Sequence, residues 1–220
     1  MSRTAILLAQ EGAVHGLRLL ALRGVRKATR TANAAALGWR DGRLPLGSTV
    51  IGARRISVGA GFDAAQPVWL EAVSEYAGVQ HDPHIRIGDR FTTSGRLHIS
   101  AVDGVRIGDD CLFGTNVYVG DHSHGFLDGA DPSSPDTAPR ERPLAARGTV
   151  RIGDRVWLGD NVVVVSGVTI GDGAVICANS VVTRDVPSGA VAAGSPARVI
   201  KQWDPEARSW VSTRRAEVDV

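Results

Sequence analysis

Two histidines, two positions apart, mark the place in this chain where chemistry is first to be sought. His122 and His124 lie in the stretch VGDHSHGF, from Val119 to Phe126, directly after Asp121. Imidazole titrates near neutral pH and is the natural general base there, so a hydroxyl or an amine could lose its proton to one of these rings. If the backbone stays extended, residues two apart face the same way, and both rings can reach one site. A lone loop histidine is usually just solvated, whereas this pair stands beside an aspartate where a regular pattern stops. The two cysteines, Cys111 and Cys177, are far apart and lack metal-ligand spacing, which points to a reducing compartment rather than a disulfide framework. Each reads equally well as a small buried hydrophobe.

The pattern that stops is a six-residue repeat. From Ile152 the chain reads IGDRVW, LGDNVV, VVSGVT, IGDGAV, ICANSV, VTRDVP. Aliphatic residues recur at Ile152, Leu158, Val164, Ile170, Ile176 and Val182. Four positions after each stand Val156, Val162, Val168, Ala174, Ser180 and Val186, all small or β-branched. The same beat appears as Ile107, Phe113 and Val119, as Ile87, Thr93 and Ile99, and more loosely as Val50, Ile56 and Phe62. This is neither a helical period nor a long strand alternation, and the Gly and Asp-Gly steps between strong positions predict short strands joined by tight turns. If three hexads close one triangular coil, the aliphatic residues stack inside a prism and each coil covers its neighbour. Each such side chain contributes roughly 1.5–3 kcal/mol on burial, enough for the stack to outweigh many solvated turns.

Residues 46–200 are therefore expected to form the solenoid, with residues 121–149 leaving it as an active-site loop rich in Pro, Asp, Ser and Gly. Residues 1–45 are expected to be a basic helical segment, and residues 201–220 a short helical tail capping the far end. Arg18, Arg23, Arg26, Lys27 and Arg30 make the first segment locally basic. It reads either as a helix packed over the solenoid or as a peripheral contact with anionic lipid headgroups. The formal charge of the whole chain is only +2, which gives no general argument for nucleic acid. Glu11, His15 and the arginines leave no uncharged apolar run of membrane-spanning length near the start, and no signal-peptide order is present, so a cytoplasmic protein is expected.

With DHSHGF, VWLG and GSPARVI added to the hexads, the chain resembles the hexapeptide-repeat acyltransferases. It is most similar to their maltose/galactoside O-acetyltransferase-like branch and the related polysaccharide O-acetyltransferases, over about residues 85–201. The resemblance implies a left-handed parallel β-helix, a homotrimer with sites between subunits, and transfer of an acetyl group from acetyl-CoA to a sugar or glycan hydroxyl without a metal. It places the catalytic base five residues after the last aliphatic hexad position, which is His124, with His122 as an orienting or substrate-contacting neighbour. By the same matching the Asp160 backbone N–H would stabilise the oxyanion and Trp157 would line the transfer site. Gly159, Ala178, Thr183, Arg184 and Lys201 would contact CoA. Ser94 stands where the family carries a substrate-binding asparagine, and the loop between His124 and Trp157 is longer than in the maltose-type pattern, so a different or larger acceptor is expected.

Two rival readings are weighed beside this one. A γ-class carbonic anhydrase uses a similar solenoid and three histidines on zinc, and His84, His98, His122 and His124 offer nitrogen ligands, though not at that family's spacing. A non-catalytic β-helix scaffold would leave the histidine loop without a purpose.

Overall fold

The computed structural model describes residues 13–127 and 132–213. The chain winds into a left-handed parallel β-helix whose strands line up in three sheets, the faces of a triangular prism. In one coil, His84–Ile87 lies on face 1, Thr92–Gly95 on face 2 and His98–Ala101 on face 3; Gly104–Ile107, Leu112–Thr115 and Tyr118–Gly120 repeat the circuit directly beside them. The register is strict. Ile85 pairs with Val105 and Val105 with Val150, while Phe113 lies between Thr93 and Leu158.

The hexad explains this architecture residue by residue. All six aliphatic positions from Ile152 to Val182, and all six positions four residues later, are buried in the prism. In the earlier, looser coils the filling is aromatic: Trp39, Phe62, Phe91 and Phe113 form a column with centroid spacings of 4.9–5.4 Å. Thr93, at an aliphatic position, satisfies its hydroxyl on the Gly114 carbonyl at 3.3 Å.

The Gly-Asp steps have a separate cause. At the vertex between faces 1 and 2, each aspartate accepts the backbone N–H of the aspartate one coil earlier: Asp109 from Asp89 at 2.8 Å, Asp154 from Asp109 at 2.9 Å and Asp172 from Asp154 at 2.9 Å. The glycine before each must lack a side chain, since a Cβ on Gly108 would sit 2.2 Å from the Asp154 carboxylate. At the vertex between faces 2 and 3, Asn116, Asn161 and Asn179 take φ of 59°, 58° and 60°, a region asparagine tolerates. Their side-chain amides bond in series at 3.0 Å.

Helix α1, Ala13–Ala36, packs against the first coil. Ala34 is buried, and the Asn33 amide donates to the Leu44 and Pro45 carbonyls at 3.2 and 3.1 Å. The expected C-terminal helix is corrected over the described residues. Ala197–Asp204 and Ser209–Ser212 form an antiparallel hairpin on the end of face 2, where Trp203 meets Trp210 across the strands at 5.4 Å. The Asp204 carboxylate accepts the N–H groups of Glu206 and Ala207, which builds a tight turn in place of a helical one. Residues 214–220 lie outside the described residues.

Candidate active site

The repeat stops at the vertex between faces 3 and 1, where Asp121 leaves the prism. Its side chain is fully buried, and its carboxylate accepts the N–H groups of Val102, Asp103 and Gly104 at 2.9, 2.8 and 2.6 Å. Three backbone amides converge on this one buried carboxylate and satisfy its oxygens. The segment expected to be an open loop starts as a ribbon instead: His122–His124 pairs antiparallel with Leu144–Ala146, so both histidines sit on an extended strand braced from the far side of the excursion.

The two rings have different surroundings. The His122 side chain is only 10% exposed, and its Nδ1 lies 2.8 Å from the Asp121 carboxylate. It lines a cavity of about 290 Å³ with Phe126, Ser166 and Thr183. His124 is exposed; its Nδ1 lies 3.3 Å from the Tyr76 hydroxyl, with the two rings edge to face at 5.3 Å. Tyr76 donates its own proton to the Arg140 carbonyl at 2.9 Å, so the phenol oxygen is left to accept from Nδ1–H. With Nδ1 donating to the phenol oxygen, Nε2 of the neutral His124 ring carries the lone pair and faces away from the hydroxyl.

The sequence reading missed the Tyr76 contact to His124 and the anchoring of the chain by Asp121. Tyr76 belongs to a small hairpin, Glu75–Tyr76 with Val79–Gln80, that leaves the same vertex earlier in the chain. The only signal was the interruption of the hexad between Phe62 and Ile87.

Ser94, Trp157, Gly159, Asp160 and Ala178 come together on face 2, where they line a cavity of about 390 Å³. The register makes this cavity a trough. Trp157 stands in an outward column with Leu112 and Val175, while Gly114 and Gly159 leave the neighbouring column without side chains. Neither glycine could carry one, because a Cβ on Gly114 would meet the Asp160 carboxylate at 2.3 Å and one on Gly159 the Ala178 nitrogen at 2.6 Å. Lys201 continues the tryptophan column through Val175 and Val191. Three strand spacings put it about 14 Å from Trp157.

Asp160 has a second property. Its carboxylate accepts the Thr115 N–H at 2.6 Å, repeating the vertex pattern. Carried two residues on, the pairing of Leu158 with Ile176 places Ala178 beside Asp160, so no carboxylate stands ready for the Asp160 N–H.

Thr183 and Arg184 follow Val181–Val182 at the vertex of the histidines. The expected site residues therefore fall into two groups on one chain: His122, His124, Thr183 and Arg184 at the vertex between faces 3 and 1, and the others on face 2, the face opposite that vertex. The remaining titratable candidates lie elsewhere. Burial pushes the Cys111 thiol up to about 11, which makes it a poor nucleophile. His84 bonds to the Asp82 carbonyl, and His98 is stacked on Trp69 at 4.5 Å with its pKa lowered, chiefly by burial. No three His, Cys, Asp or Glu side chains among the described residues form a group that could hold a metal ion. No described helix is long and apolar enough to cross a membrane.

The fold is that of a hexapeptide-repeat protein. The model for the bacterial transferase hexapeptide, six repeats, matches residues 149–184, and that for the hexapeptide repeat of succinyl-transferase matches residues 104–120. A protein of Escherichia coli (strain K12), described as the lipopolysaccharide biosynthesis O-acetyl transferase WbbJ, is 42% identical over 57% of this chain and 64% of its own length. One of Staphylococcus aureus (strain MRSA252), described as an acetyltransferase, is 33% identical over 54% of this chain and 68% of its own. Among solved structures, AntD, an N-acyltransferase from Bacillus cereus in complex with dTDP and 3-hydroxybutyryl-CoA, superposes with a TM-score of 0.61 at 15% identity, covering 80% of this chain and 90% of that one, which speaks for the fold alone. The chain belongs to the hexapeptide-repeat acyltransferase family. It spans about three fifths of the length of the first curated relatives it matches.

Proposed function

We propose that this protein moves an acetyl group from acetyl-CoA to a hydroxyl of a sugar or glycan, with His124 as general base. The observation that carries the reading is the Tyr76 hydroxyl set against Nδ1 of an exposed His124, which leaves Nε2 open to an acceptor. In the reaction, Nε2 removes the acceptor's hydroxyl proton as its oxygen attacks the thioester carbonyl carbon. The C–O bond forms, the carbonyl oxygen gathers negative charge, and the Asp160 N–H, which lacks a carboxylate partner, donates to it. The tetrahedral intermediate then collapses, the C–S bond breaks, and the imidazolium returns its proton to the departing CoA sulfur. A positioned base typically contributes about 10²–10⁴ in rate, and one oxyanion donor roughly 2.7–4 kcal/mol.

The trough beside Trp157, with Gly159 and Ala178, suits an extended pantetheine arm, and Ser94 at its edge suits the acceptor. Lys201 along the same face, with Thr183 and Arg184 at the vertex, would meet the nucleotide end, the two cations as partners for phosphates. Because the vertex and face 2 lie on opposite sides of one prism, a working site needs the vertex of one chain against the face of another. Such a head-to-tail contact closes into a ring, and we infer a homotrimer with three sites between subunits. The name of the E. coli relative, which refers to lipopolysaccharide biosynthesis, supports a glycan hydroxyl as acceptor. We place the protein in the cytoplasm, with α1 in peripheral contact with the inner membrane surface.

The test is an acceptor screen with radiolabelled acetyl-CoA and purified protein, followed by locating the acetyl group by NMR. Label on a sugar oxygen is the expected result. Absence of both transfer and CoA binding at millimolar concentration would contradict the proposal.

A further inference from the structure

A cavity of about 410 Å³ between α1 and the first coil shares no lining residue with the trough or the histidine cavity. Arg23, Arg26, Lys27 and Arg30 line it from one stripe of the helix, and Arg43 and Asp63 from the coil. The helical spacing of three and four residues brings these cations onto one face. Asp63 is the single carboxylate in the lining; it pairs with Arg30 and, at 2.6 Å, with Arg43. Arg23, Arg26 and Lys27 are exposed beside it. The Nε atoms of Arg30 and Arg43 are buried and have no hydrogen-bond partner among the described residues. Five cations against one carboxylate leave the lining net positive, which favours an anionic occupant.

A second cavity, about 360 Å³, shares Arg26 and Arg30 with the first but is walled by Pro45, Leu46 and Pro67. Leu46, and Leu22 and Val25 on α1, are large apolar side chains left exposed nearby. A cationic cavity opening onto an apolar one matches a ligand whose anionic group carries hydrocarbon. Guanidinium forks are the side chains best suited to a phosphate in that position.

We propose that this site binds a phosphate group, on the headgroup of an anionic lipid or on a free phosphate compound, and so adds a second binding site to the proposed enzyme. It stands independently of the acetyl-transfer reading. The experiment compares the full chain with the variant Arg23→Ala/Lys27→Ala, which removes two exposed cations and leaves the Arg30 and Arg43 contacts in place. Co-sedimentation is measured with phosphatidylcholine vesicles, with and without phosphatidylglycerol, and saturable binding of inorganic pyrophosphate by calorimetry. Binding to the phosphatidylglycerol vesicles alone identifies a lipid phosphate; saturable pyrophosphate binding identifies a soluble one. In either case the variant binds at least about tenfold more weakly, since each cation near an anionic surface is worth roughly a fivefold change. Acetyl transfer to a soluble acceptor is unchanged by the variant, so failure here is distinguishable from failure of the proposed function. Absence of binding to both probes, or equal binding by the variant, overturns the proposal.

Discussion

Two vertices of the same prism use the same device for different ends. Between faces 1 and 2, each of Asp109, Asp154 and Asp172 holds one N–H of the coil before it, and the chain turns onward without interruption. Between faces 3 and 1, Asp121 alone holds three N–H groups and the His122 ring, and the chain departs into the excursion that presents His124. The comparison separates two jobs that a repeat can give an aspartate. A ladder spreads small gains over many coils, whereas a concentrated anchor fixes one point firmly enough for chemistry to be built beyond it.

The largest expected effect separates the two histidines. His124→Ala should lose at least about a hundredfold in turnover in a steady-state acetyl-transfer assay, the usual size of a general-base effect. His122→Ala should lose less turnover and show its cost in thermal stability, because its ring serves the anchor. If His122→Ala proved the more damaging to turnover, the two roles would be reversed.

The anchor and the ladder differ next. In urea titrations Asp121→Ala should destabilise by on the order of 3 kcal/mol, having left three amides without their acceptor, two of them buried, and Asp154→Ala by about 1 kcal/mol, having orphaned one. Equal losses would dissolve the distinction between the vertices. Within the ladder, Gly108→Ala must displace the Asp154 carboxylate or the coil, at about 1–3 kcal/mol in the same measurement.

The smallest effect is in pH. Burial lowers the His98 pKa in the folded protein, so the unfolded chain takes up a proton that the folded one refuses. Stability should therefore fall as pH drops below about 6.5, the ordinary histidine value. His98→Phe should flatten that part of a melting-temperature profile between neutral and mildly acidic pH; an unchanged slope would assign it to another group.

Much of this is legible in the residues alone. Period six with buried Ile152, Leu158 and Val164 could be satisfied by a triangular coil, and the matched motifs brought Ser94, Trp157, Gly159 and Asp160 into what is one trough. The helix expected beyond residue 200 is a hairpin instead, because the Trp203–Trp210 contact acts across strands while the Asp204 carboxylate closes the turn between them. Tyr76 was invisible for a related reason. It meets His124 from 48 residues away, out of a hairpin with no periodic signature. Nor does one sequence reveal that two groups matched to a single site stand on opposite sides of a prism.

That separation makes one measurement the most direct test. Chains carrying His124→Ala and chains carrying Trp157→Ala should each be nearly inactive alone. Co-expressed and co-purified, they should recover activity, because sites that join an intact vertex from one chain to an intact face from the other arise in about one case in four under random assembly of a closed ring. A mixed preparation no more active than its two parents would contradict a site shared between subunits.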